Sequence, residues 1–135
     1  MILACKRELS ELERIVHVTE VFFAANIIDT SIRDIVDLAI EELFVNMVKY
    51  STETEERIEI KMEPVREGIK VSLTDFNVER FDPTARGVVD VNAPLEERTP
   101  GGLGIFLVLK MVDSIDYEYQ NRVSKITFTK CTESR

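Results

Sequence analysis

The amino-acid sequence predicts an α+β fold, a two-layer sandwich in which helices cover one face of a mixed, mostly antiparallel sheet. Three observations predict it. Helical periodicity occupies the early part of the chain, over residues 9–25 and 31–50. Strict two-residue alternation follows over 57–63 and 69–74, and returns over 115–120 and 124–130. Between the two alternating pairs lies an aperiodic stretch, about 78–100, that leads into a glycine-rich segment and a short apolar helix. The order is β-α-α-β-β-loop-α-β-β, without internal repeat or low-complexity segment, and the 135 residues are expected to form a single domain.

Residues 1–5 are a short apolar run, read as a strand. Leu12, Ile15, Val16, Phe22 and Phe23 mark the apolar face of the first helix, with Glu11, Glu13, Arg14 and Glu20 around it. Asn26 and Asp29 break that pattern, and Ser31 with Asp34 resembles a capping box opening the second helix. There Val36, Ile40, Leu43 and Met47 recur at spacings of four, three and four. Residues 51–56 are a polar connector. Ile58, Ile60 and Met62 then face inward against Glu59, Lys61 and Glu63 outward. Residues 64–68 turn the chain, and Ile69, Val71 and Leu73 face inward with Lys70, Ser72 and Thr74 outward. The two runs form an antiparallel hairpin with one face on the core. Near the end of the chain, Ile115, Tyr117 and Tyr119 alternate with Asp116, Glu118 and Gln120. Residues 120–122 turn, and Ile126 and Phe128 face inward.

Composition bounds the function. With 17 Lys and Arg against 25 Asp and Glu the formal charge is −8, so no basic patch points to nucleic acid or to an anionic membrane. No apolar run approaches the about 20 residues of a spanning helix. The only two cysteines, Cys5 and Cys131, fit no metal-binding spacing, and a reduced, cytoplasmic protein is expected. The single histidine, His17, is read as a surface or packing residue of the first helix.

Polar residues at inward positions are the candidates for chemistry. The row Ile32, Ile35, Ala39 on the second helix continues into Glu42 and Asn46, which lie one above the other four residues apart. From Leu43 to Val48 their neighbours are apolar, so both groups need partners, at a cost of about 1–3 kcal/mol each if left without. A wet groove or backbone bonds would satisfy them. So would a metal ion on Asn46 and a proton or water handled by Glu42. Asp75 shares the inward parity of Ile69, Val71 and Leu73 if the strand persists that far; otherwise it begins a turn with Asn77. Ser124 is inward by the same parity and could line a pocket. Gly101, Gly102, Leu103 and Gly104 open a helix, where free N–H groups and a positive dipole end form an anion cradle. A plain glycine turn before a buried helix is the alternative.

Together these stretches resemble the GHKL (Bergerat) ATP-binding fold of gyrase, mismatch-repair ATPases and histidine kinases, and more narrowly the stand-alone anti-sigma-factor serine-protein kinases. The N box is Glu42-Leu43-Phe44-Val45-Asn46, the first glycine box is Asp75-Phe76-Asn77 followed by Phe81-Asp82-Pro83, and the second is Gly101-Gly102-Leu103-Gly104-Ile105-Phe106-Leu107-Val108. The resemblance spans about 9–130. It implies ATP and Mg²⁺ as cofactors, with Asn46 on the metal and Asp75 accepting from the adenine amino group. Gly101, Gly102 and Gly104 would let a lid at about 78–100 and the helix start wrap the triphosphate. Glu42 would be the general base toward a serine hydroxyl of an antagonist protein. Lys49 and Arg98 are candidates for phosphate contact or for surface pairs. The resemblance also implies a sigma factor as a further partner, and a homodimer through the first strand and helix.

The sequence departs from that family at Asn77, where a glycine is expected, and the spacing from Asp75 to Phe81 is about one residue longer. Asparagine is the non-glycine residue that best tolerates left-handed dihedrals, which would preserve the turn and place a side chain near the base. Two functions therefore compete. One is an ATP-dependent serine-protein kinase that also sequesters a sigma factor, favoured by Glu42 with Asn46. The other is a nucleotide-binding or nucleotide-blind sequestering module without transfer activity, favoured by Asn77. The catalytic half of a histidine kinase is disfavoured, because His17-Val18-Thr19 lacks the acidic residue expected after a phosphoacceptor histidine.

Overall fold

The computed structural model describes residues 1–80 and 108–132. They form a five-stranded sheet of order β1-β2-β3-β5-β4 with two long helices. In chain order these are β1 (Ile2–Cys5), α1 (Leu12–Ala25), α2 (Arg33–Tyr50), β2 (Ile58–Val65), β3 (Gly68–Phe76), β4 (Ser114–Gln120) and β5 (Val123–Cys131). The predicted α+β sandwich and element order hold, and every strand pairing among the described residues is antiparallel. No helix among the described residues is long and apolar enough to cross a membrane.

Alternation decides which side of the sheet is core. Facing rows run Met62, Val71, Phe128 and then Ile60, Leu73, Ile126, with Leu3 beside Ile60 on β1. All are buried, and they pack against Ile15, Phe22 and Phe23 of α1 and Val36, Ile40, Leu43, Phe44 and Met47 of α2. At about 25 cal/mol per Å² this apolar burial is the main force holding helices to sheet. The next row along β3 and β5 is polar, Asp75 opposite Ser124.

Several local expectations shift. Ser31 does not cap α2 with its side chain. Asp29 accepts from the Ser31 N–H at 2.9 Å and opens a one-turn 3₁₀ helix, Thr30–Ile32, that feeds α2. Val16 is 41% exposed, whereas Ile15 is buried. Adjacent helix positions point about 100° apart, and here Ile15 faces the core while Val16 turns away from it. Buried Thr19 bonds back to the Ile15 carbonyl at 2.8 Å instead. The turn between β2 and β3 narrows to Arg66 and Glu67, the latter at φ 64°. Pro64 falls inside β2, past the end of β1, where its missing N–H removes no sheet bond. Ser72, although on the outer face, is buried between Lys61 and Thr127 on the neighbouring strands. Cys5 and Cys131 are free thiols, and burial pushes the Cys5 thiol up to about 11.

Gly68 opens β3 opposite Cys131, so close to β5 that a Cβ would overlap the Lys130 carbonyl oxygen and the Cys131 Cα. Both obstacles are backbone and cannot rotate away. Gly68→Ala is expected to destabilise the fold by roughly 1–3 kcal/mol, read as a lower urea midpoint at unchanged m.

Candidate functional site

The site begins on α2. Asn46 is only 4% exposed, and its Nδ2 donates to the Glu42 carbonyl at 2.7 Å. That bond to the carbonyl one turn back satisfies the amide nitrogen within the helix and leaves Oδ1 as the atom suited to a ligand. Glu42 sits one turn earlier, half-buried. Burial raises its carboxyl above the ordinary range, the neighbouring Glu41 adds to this, and Lys49 opposes it. Lys49 itself is exposed, within electrostatic reach of Glu42.

β3 persists to Phe76, so the inward parity carries through and Asp75 is 1% exposed. Asn46, Asp75 and Ser124 line one cavity with Met47, Ser51 and Val78. Its volume is about 10 Å³, room for roughly one water. Two of the three sequence-predicted acid and amide positions thus share a cavity. Glu42 lies outside its lining, displaced along α2.

The partner of Asp75 is a residue that the sequence reading did not single out. Arg7, between β1 and the 3₁₀ turn Leu9–Glu11, reaches across with Nη1 2.6 Å from Asp75 Oδ1 and Nη2 3.0 Å from Oδ2. The same guanidinium donates to the Glu56 carbonyl at 3.0 Å, the Ser51 carbonyl at 3.1 Å and the Met47 carbonyl at 3.2 Å. One side chain, 11% exposed, therefore ties the start of the chain to the end of α2, the connector before β2 and the end of β3. A two-pronged guanidinium–carboxylate pair is among the strongest hydrogen-bonded arrangements available to side chains.

The turn after Asp75 keeps the shape its asparagine permits. Asn77 has φ 60°, left-handed, and is exposed. Its Oδ1 accepts from Arg122 Nε at 3.0 Å, so the side chain is held toward the β4–β5 turn and Asn77 is not among the residues lining the Asp75 cavity. Val78 is anchored by its N–H to the Arg122 carbonyl at 3.0 Å and by Tyr119 Oη to its carbonyl at 2.8 Å. The N–H of Glu79 donates to Glu53 Oε2 at 2.8 Å, which holds the Glu53 carboxyl below its usual range. Arg98, Gly101, Gly102, Leu103 and Gly104 lie outside the described residues, as does most of the lid expected at about 78–100. Of the apolar helix that follows them, residues 108–111 are helical, with Val108 buried.

These residues fit a magnesium nucleotide in one half and not in the other. A buried amide oxygen suits Mg²⁺, a hard cation that commonly takes one or two protein ligands beside phosphate and water. Among the described residues no group of three His, Cys, Asp or Glu could hold a metal, and a site of the Asn46 kind needs none. The base half does not fit as it stands. Both Asp75 oxygens are engaged by Arg7, and the cavity beside them is far smaller than a purine ring.

Two helices over an antiparallel sheet, with an amide on the second helix sharing a cavity with a buried carboxylate at a strand end, define an α+β class with a polar pocket between helix and sheet. The chain matches the family described as histidine kinase-like ATPase domain over residues 5–130, and it belongs to that family, within the GHKL superfamily. Domains of this superfamily bind ATP, usually with Mg²⁺. Comparison with curated proteins gives no significant match.

Proposed function

We propose that the chain is an anti-sigma-factor-type serine-protein kinase, which transfers the ATP γ-phosphoryl group to a serine of an antagonist protein and regulates a sigma factor by sequestration. The observation that carries this reading is Glu42 one turn before Asn46 on a helix whose Asn46 shares a cavity with Asp75. A pure binding module has no use for a half-buried carboxylate beside a metal-competent amide. Bound there, Mg-ATP supplies the phosphoryl group and the charge neutralisation that transfer requires. Asn46 holds the metal. Glu42 takes the proton of the incoming hydroxyl, and the burial that raises its affinity for a proton moves it toward the working range of a general base. Lys49 and Arg98 are assigned to the phosphates, with Gly101, Gly102, Leu103 and Gly104 as their cradle, while Asp75 and Ser124 form the base side and Asn77 the turn that follows it.

The protein acts in the cytoplasm in this reading, as a homodimer. β1 is an edge strand, Met1 and Ile2 expose apolar side chains at its start, and Leu9 and Val16 are exposed in the turn and helix that follow. A second reading, a partner-sequestering module without transfer, is favoured by one specific observation, the occupation of Asp75 by Arg7. Purified protein incubated with Mg-ATP and the antagonist separates the two. Phosphate on an antagonist serine by intact mass and peptide mapping is the expected result. A stable complex without transfer, at saturating nucleotide, selects the module.

A further inference from the structure

We infer that Arg7 is a displaceable latch on the nucleobase pocket: it occupies Asp75 in the free protein and sets nucleotide affinity, because a purine reaches that carboxylate only after the guanidinium has left. The inference rests on the nucleotide reading above and adds to it a positioning residue outside the boxes that suggested that reading.

The guanidinium reproduces what a purine would do there. It brings planar N–H donors to both oxygens of a buried carboxylate, at 2.6 and 3.0 Å, while the cavity that Asp75 lines with Asn46 and Ser124 holds only about 10 Å³. It also reaches the Met47 and Ser51 carbonyls where α2 ends. Lys6 and Glu8 on either side are exposed, and a groove of about 450 Å³ lined by Lys6, Arg7, Glu8, Val48 and Arg57 opens directly beside it. The side chain can swing into that groove and keep its charge in water. Departure removes both Arg7 donors and their charge from Asp75, and a purine amino group restores a neutral hydrogen bond there, so the exchange recovers part of what the guanidinium supplied. Binding is then weakened by whatever the Arg7 contacts contribute, in the manner of any ligand whose competent state is a minor population. Arg7 lies two residues past the end of β1 and two before the Leu9–Glu11 turn, so a contact that shifts either alters nucleotide affinity without touching the site.

The test uses the full chain, with Mg-ATP binding measured by calorimetry. Arg7→Ala is expected to bind tenfold or more tightly than the native protein, and Arg7→Lys to fall between, since an ammonium cannot make the two-pronged contact. In native protein carrying ¹⁵N-labelled arginine, the Arg7 side-chain NMR signal is expected to move from a protected, hydrogen-bonded state to a solvent-exchanging one as Mg-ATP saturates. That measurement decides the matter should Arg7→Ala fail to fold. Equal or weaker binding by folded Arg7→Ala, or an Arg7 signal unmoved at saturation, overturns the latch and leaves the nucleotide reading standing. Absence of binding in the native protein and in both variants overturns both.

Discussion

Arg7→Ala is expected to lose about 3–5 kcal/mol of folding stability, because it strands the Asp75 carboxylate in a site 1% exposed. The loss has a second source. The Met47, Ser51 and Glu56 carbonyls each give up a donor, although the Met47 carbonyl keeps its bond from the Ser51 N–H at 3.1 Å. Removing both charges with apolar groups of similar size, Arg7→Met with Asp75→Leu, is expected to cost far less than Arg7→Ala alone, since no buried charge is then left unpaired. Urea unfolding of the native protein, both single variants and the double variant closes the cycle. A loss below about 1 kcal/mol for Arg7→Ala would place the pair with exposed surface bridges and contradict its burial.

That pair also marks the limit of what the sequence could disclose. Asp75 and Ser124 were legible because a strand with one buried face has a period of two, and parity carries from Leu73 to Asp75 and from Ile126 back to Ser124. The left-handed turn at Asn77 was legible because few residues tolerate that dihedral. Glu42 and Asn46 were legible as polar interruptions of an apolar helix. Arg7 was not, because it sits 68 positions from Asp75 and no periodicity relates the two. Beside Lys6 and Glu8 it reads as one more surface charge. Two smaller differences have similar causes. Asp29 and Ser31 are both good capping residues two positions apart, and only the intervening 3₁₀ turn decides between them. Ser72 has the outward parity of a solvated residue, but on a central strand its neighbours Lys61 and Thr127 cover it. Pattern reports which way a residue points; it does not report what stands opposite from a distant part of the chain.

The second large effect belongs to Glu42. Glu42→Gln is expected to lower phosphoryl transfer by about 10²–10⁴-fold while leaving Mg-ATP affinity near native, because a general base acts on the transition state rather than on nucleotide binding. The glutamine keeps the shape and the helix propensity of the residue it replaces, and the Glu42 carbonyl that accepts from Asn46 is backbone and stays in place. The pH profile supplies an independent reading. Burial raises the Glu42 carboxyl, so native transfer should fall with decreasing pH at values above the ordinary carboxylate range, and the variant's residual rate should lack that limb. Stability carries the opposite sign. A carboxyl whose folded pKa is raised holds its proton better when folded, so its favourable contribution is present in acid and is lost as pH rises through the raised value. Glu42→Gln should therefore melt at or above the native temperature at neutral pH, with the advantage disappearing in acid. Loss of transfer together with a lower melting temperature at neutral pH would instead assign Glu42 to the architecture of α2, and the role of proton acceptor would pass to another group.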